Sequence, residues 1–175
     1  ALKPDIVFVS TASQIENFTK TLEANGIAVY VTNPSDLSEV LTGLVKLGEL
    51  LGTTEQAGAL FSDLKARQMK VVSKVGSEYT SDVFVQISKE PLFTIGKQSF
   101  LNMVISFAGG NSVTGEIDSA YPKLSKETAL ALNPEVIILS ESDDNKEANE
   151  AFKNSPAVKN GRVYKVNADL LSRPG

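Results

Sequence analysis

Neither cysteine nor histidine occurs in the 175 residues. The first absence excludes disulfides, thiolate metal sites and a cysteine nucleophile. The second removes the commonest metal ligand and the commonest general base. Positive charge is in deficit: 17 Lys and Arg stand against 21 Asp and Glu, giving a net charge of −4 and a pI near 5.0. A nucleic-acid binder needs a basic face to neutralise phosphates, so that class is disfavoured. No apolar run approaches the ~20 residues needed to span a bilayer. The chain opens on a strand pattern rather than a signal-peptide pattern. What is present, 42% hydrophobic and 22% charged residues, is the make-up of a globular protein.

One pattern occurs twice. LKPDIVFV (2–9) is followed, after a helical span, by NGIAVYV (25–31); LNPEVIIL (132–139) is followed, after another, by NGRVYKV (160–166). Each copy runs leucine, polar residue, proline, acid, β-branched run, helix, Asn-Gly turn, β-rich run. A fixed order of elements appearing twice is the trace of two similar lobes. Two lobes imply a cleft.

The β-branched run Asp5 to Val9 reads as a buried parallel strand. Ile15, Phe18 and Leu22 have helical spacing over 14–24, and Asn25-Gly26 ends that helix. Ser35 reads as the N-cap of a helix whose apolar stripe is Leu37, Val40, Leu41, Leu44, Leu47 and Leu51. Thr53-x-x-Gln56 reads as a capping box opening a helix to about Val75, roughly 30 Å long. Strands are expected at 82–87, 135–139 and 162–166, and helices at 99–107, 125–132 and 147–153. The stretch 111–120 reads as irregular and the tail from Asn167 as lacking a closing helix.

The fold class is therefore α/β: two Rossmann-like lobes with parallel sheets, joined by a long α-helix. The divisions are a partial N-terminal lobe (1–34), a helical region with the spine helix (35–78) and a C-terminal lobe (79–175). The first lobe is incomplete on this count, because two strands and one helix cannot bury a core alone. Either the chain is a piece of a longer protein or a partner copy completes the sheet as a lobe-completing or domain-swapped homodimer.

In parallel α/β sheets ligands sit beyond the carboxyl ends of the strands. That places Ser10, Ser140 and the loop 88–94, with Thr94, on the candidate ligand side, although ordinary polar loops read the same way. Gly96-Lys97-Gln98-Ser99 fails as a phosphate loop, since Pro91 and Gln98 occupy positions that need Gly and Ser or Thr. Lys97 beside a helix start remains a weak anion contact, and plain capping explains the segment as well. Tyr121, before Pro122, is either a stacking surface for a planar ligand or a half-buried turn aromatic. Glu127 sits in a helix first turn, where a carboxylate favours the dipole; exposed, it is also suited to pairing with a partner's arginine. Glu141, Asp143 and Asp144 lack cation-loop spacing and read as a solvated run. Arg173 is either a carboxylate or phosphate clamp or a free terminal residue. No nucleotide fingerprint or catalytic constellation is present, which disfavours an enzyme; a truncated scaffold domain without ligand binding is the other alternative.

These segments together resemble the solute-binding proteins of ABC importers for cobalamin, iron-siderophore and haem. The resemblance rests on LKPDIVFV, GIAVYV, the 37–51 helix ending LGELLG, PLFTIGKQSFLNMVISFAGG (91–110), YPKLSKE (121–127), LNPEVIIL and AVKNGRVYKVNADLLSRPG (157–175), in that order. It implies a periplasmic or membrane-anchored extracellular binding protein, not an enzyme, with no resident cofactor. Its ligand would be a bulky small-molecule metal chelate, a corrinoid such as cobalamin or a ferric siderophore. It implies that Glu127 faces the permease and pairs with its arginines. It implies that Tyr121 lines the cleft, with the loop before the Ser99 helix and Arg173 near it. It also implies that a first-lobe glutamate, most of the first-lobe ligand surface and a final helix lie outside this chain.

Overall fold

The computed structural model describes residues 3–10, 16–75 and 80–172. The chain divides into two units, Ala1–Phe61 and Ser62–Gly175.

In the first unit β1 (Ile6–Ser10) and β2 (Ala28–Thr32) form a two-stranded parallel sheet connected by α1 (Glu16–Ala24). Gly26 takes φ +76°, the left-handed conformation that lets the chain leave α1 within two residues. α1 buries none of its residues. Phe8, Phe18 and Val31 are 46%, 56% and 49% exposed, as the shortage of strands predicts.

α2 (Leu37–Leu50) starts one residue later than its sequence suggests. The N-cap is Asp36, not Ser35: the Glu39 backbone N–H donates to Asp36 Oδ1 at 2.7 Å, and the Glu39 carboxylate accepts from the Ser35 N–H (2.7 Å) and hydroxyl (2.9 Å). A carboxylate cap accepts from the orphan N–H more strongly than a hydroxyl, which leaves Ser35 as the outer partner. Gly48 is obligatory near the end of α2, because a Cβ there would collide with that of Ala57. α3 (Thr54–Lys74) then runs for 21 residues, about 31 Å. Its first part belongs to one unit and its second to the other. No helix among the described residues is long and apolar enough to cross a membrane.

The second unit is built on a parallel sheet in the order β4-β3-β5-β6, from β3 (Ser81–Gln86), β4 (Gly110–Ser112), β5 (Val136–Glu141) and β6 (Val163–Asn167). The helices are α4 (Phe100–Phe107), α5 (Lys126–Leu132), α6 (Pro156–Lys159) and α7 (Ala168–Ser172), with a 3₁₀ turn at Glu150–Phe152. Side chains alternate across the sheet. Val83, Val85 and Val136 pack with Ile95, Leu101 and Ile105 on one side. Phe84, Ile137 and Leu139 pack with Leu124, Ala129 and Phe152 on the other. The rings of Phe84 and Phe152 lie 4.4 Å apart between centroids. Helices on both faces make this an α/β/α layer structure.

Three local expectations need correction. The region 147–153 is not an α-helix: Asn149 Oδ1 accepts from the Ala151 N–H at 2.9 Å and caps a 3₁₀ turn of three residues. Ser155 then caps α6, with Pro156 at its first position. The stretch 111–120 contains part of strand β4, whose Gly-Asn-Ser sequence carries no β-branched residue to signal it. The tail does close with a helix, α7, whose Asp169 N–H is held by Asn167 Oδ1 at 2.8 Å.

The repeated motifs occupy equivalent strand pairs, β1–β2 and β5–β6, both parallel. Their registers differ. Ile6 faces Ala28 in the first copy, whereas in the second Val163, the counterpart of Ala28, faces Ile137 and not Val136. The second pair is slipped by one residue.

Candidate functional site

The carboxyl ends of β3 and β5 deliver Gln86 and Ser140 to one edge of the second unit's sheet. The chain leaves that edge through two loops, 87–94 and 142–149. Three amide side chains bind these loops together. The Gln86 Nε2 donates to Asn145 Oδ1 (2.6 Å) and the Glu147 carbonyl (2.8 Å), while its Oε1 accepts from the Asn149 N–H (2.8 Å). Asn145 Nδ2 donates to the carbonyls of Gln86 (3.0 Å), Ile87 (3.2 Å) and Ser140 (2.8 Å). Asn149 Nδ2 reaches the Lys89 carbonyl (2.9 Å) and the Glu90 carboxylate (3.1 Å). Gln86 and Asn145 are fully buried, and buried polar groups persist only when bonded in this way.

A second arrangement lies beside it. Residues 92–98 run against 117–124 through main-chain bonds: Leu124 N to Leu92 O (2.9 Å), Thr94 N to Pro122 O (3.1 Å), Gly96 N to Ala120 O (3.0 Å) and Lys97 N to Ile117 O (2.8 Å). Gln98 Nε2 adds a bond to Asp118 Oδ1 at 2.8 Å. Two loops that would otherwise be independent thus become one platform. It carries Tyr121, 50% exposed, and exposed Lys97 on adjoining strands of backbone. An exposed aromatic on one segment and an exposed cation on the other are groups that suit a planar ligand bearing negative charge.

The sequence-derived candidates divide accordingly. Tyr121 and Lys97 are exposed on the platform. Ser140 is buried at the end of β5, its carbonyl taken by Asn145. Thr94 is not available to a ligand through its side chain. Its hydroxyl, fully buried, donates to the Val85 carbonyl at 2.7 Å and so must accept from the Thr114 hydroxyl 3.2 Å away. The hydroxyl ties the loop back onto its own strand. Ser10 is the last residue of β1 in the other unit. Arg173 lies outside the described residues. In the acidic run, Glu141 pairs with Lys165 (3.8 Å) and Asp143 with Lys146 (3.3 Å), both at the surface.

Glu127 is exposed in the first turn of α5, whose N-cap Ser125 accepts from the Thr128 N–H at 3.1 Å. Its carboxyl is held below the usual carboxylate range, first by its own backbone N–H, then by the Ser125 hydroxyl, with desolvation opposing and Lys126 adding a smaller lowering. The group is a fixed surface anion.

Gln86, Asn145 and Asn149 are residues of this edge that sequence reading passes over. Asn145 falls between the acidic run and a span expected to be helical, Asn149 falls within that span, and Gln86 reads only as the polar end of a strand.

Residues 1–170 match the family model described as periplasmic binding protein. The chain is 27% identical over 178 residues to the vitamin B12-binding protein of Vibrio campbellii, covering 99% of this chain and 64% of that protein. It is 29% identical over 185 residues to an uncharacterised ABC transporter substrate-binding lipoprotein of Bacillus subtilis, covering 100% of this chain and 58% of that one. The chain thus spans about three fifths of the length of these relatives. The solved structure of the periplasmic haem-binding protein of Vibrio cholerae superposes with a TM-score of 0.82 at 18% identity, over 96% of this chain and 69% of that one. At that identity the likeness is one of fold.

Proposed function

The chain belongs to the periplasmic binding protein family, and from that premise we propose that it forms part of the substrate-binding component of an ABC importer. In this reading the protein works outside the cytoplasm, captures a metal chelate and delivers it to a membrane permease without chemical change. The observation that carries the reading is the platform of 92–98 and 117–124, which sets Tyr121 and Lys97 beside the carboxyl edge of a parallel sheet. That edge is where ligands of open α/β sheets sit.

The first choice of ligand is a corrinoid. The chain contains no histidine, which disfavours a binder of bare zinc or manganese and favours a metal that arrives already chelated. A vitamin B12-binding relative shares 27% of the aligned residues, and an exposed tyrosine offers a flat surface to a macrocycle. A ferric siderophore is the second choice, with Lys97 as a contact for its anionic groups.

Glu127 is assigned to the permease. It is exposed, its carboxyl is held below the usual carboxylate range, and it stands at a helix start where it can meet arginines.

The test uses the full-length protein. Cyanocobalamin, a ferric siderophore and haemin are added separately, and binding is followed by absorbance and thermal shift. Cyanocobalamin should bind and raise the melting temperature, and Tyr121→Ala should weaken it by roughly tenfold or more. No response to any of the three sinks the proposal.

A further inference from the structure

A ligand edge made of loops is precise only if something fixes the loops before the ligand arrives. Here the loops after β3 and β5 carry no disulfide and no helix of their own before residue 150. Of the three amides that join them, the Asn145 carboxamide makes the most bonds, four. Its two N–H groups serve three carbonyls, those of Gln86, Ile87 and Ser140, at 2.8–3.2 Å, so one hydrogen is shared. Two of these carbonyls belong to the end of β3 and its loop, and the third to β5. Its oxygen accepts from Gln86 Nε2 at 2.6 Å, which closes the ring of amides.

We propose that Asn145 is the positioning residue of the ligand edge, holding the exits of β3 and β5 in their binding geometry in the empty protein. The inference rests on the ligand-binding reading above for its purpose, though not for its geometry. Only a carboxamide suits the place. Leucine has nearly the same shape but leaves three buried carbonyls without their donor. Aspartate replaces the donor with an acceptor and, when ionised, sets a buried negative charge against those carbonyls. Protonating that aspartate restores one O–H donor. Preorganisation of this kind lowers the ordering cost of binding and acts on affinity although Asn145 touches no ligand.

The experiment compares the full-length protein with Asn145→Leu and Asn145→Asp. Hydrogen exchange is measured without ligand, and cyanocobalamin affinity is measured in parallel. Exchange protection in 87–94 and 141–149 should fall about tenfold or more while peptides covering Val83–Val85 and Ile137–Leu139 keep theirs. Cyanocobalamin affinity should fall roughly tenfold. The Asn145→Asp deficit should shrink on acidification when compared with itself at higher pH, a recovery that needs no stable leucine variant. Unchanged loop protection, an equal loss throughout the sheet, loosened loops with unaltered affinity, or no recovery of the aspartate variant on acidification would each overturn the assignment. If the unmodified protein binds no cyanocobalamin, the ligand reading fails, and the exchange pattern alone decides whether Asn145 fixes the loops.

Discussion

A Cβ built on Gly96 would lie 2.7 Å from the carbonyl oxygen of Ile117, closer than such atoms approach. The absence of a side chain at one residue thus lets the Tyr121 segment lie against the Lys97 segment. Gly96→Ala should force the two backbones apart and cost about 1–3 kcal/mol, the usual range for overpacking. Urea denaturation of the full-length protein would read the loss as a lower midpoint. Cyanocobalamin binding should weaken with it, because Tyr121 moves. An unchanged midpoint would show that the segments separate freely.

Thr94→Val keeps the shape of the side chain and removes the hydroxyl that bridges Val85 and Thr114. A loss of about 1–3 kcal/mol is expected, from two buried polar groups deprived of a partner. The denaturation slope should not change, since the same surface is exposed on unfolding. Weakened ligand binding at unchanged stability would instead place the hydroxyl in the ligand site.

Phe152→Ala removes one ring of the Phe84 pair at 4.4 Å, in the best-buried part of the second unit. The expected cost is about 3–5 kcal/mol, transfer and cavity together. Phe152→Leu, which leaves a smaller void, should cost less. Equal costs for the two substitutions would mean that the site collapses around the smaller residues.

Glu127→Lys should impair uptake of cyanocobalamin by cells carrying the full-length protein while leaving affinity in solution unchanged. The pH dependence has a definite sign. A carboxyl whose folded pKa is depressed contributes its stabilisation fully above the ordinary carboxylate value and loses it as pH falls through the lowered one. NMR titration should therefore place the Glu127 midpoint below that of a free glutamate. Ser125→Ala should move it up, since the Ser125 hydroxyl is the second cause of the depression. Normal uptake by Glu127→Lys would remove it from the docking surface.

The α/β class, the strand pairs and the helix starts at Ser99 and Ser125 were legible because apolar runs, Asn-Gly turns and N-caps are local signals. Gly26 and Gly161 are in the left-handed region where the Asn-Gly pairs place them. β4 was not legible, because a three-residue edge strand of Gly, Asn and Ser owes its form to β3 beside it. The α2 cap was misplaced by one residue, because Ser35 and Asp36 both suit the position and only the Glu39 geometry separates them. Of the candidate site, exposure of Tyr121 and Lys97 followed from their loop setting, whereas the enclosure of Thr94 depends on partners 9 and 20 residues away and the Gln86 bonds to Asn145 and Asn149 on partners 59 and 63 residues away, for which one sequence holds no signal.

The slipped register of β5–β6 relative to β1–β2 makes the two motif copies alike in order and unlike in phase. Because successive side chains of a strand point to opposite faces, a slip of one residue reverses which of them look inward. A chimera carrying 28–32 in place of 163–167 would keep the order of the motif and still turn the half-buried Val29 and Tyr30 toward solvent. The copies are therefore not exchangeable parts, and each has become specific to the sheet it completes.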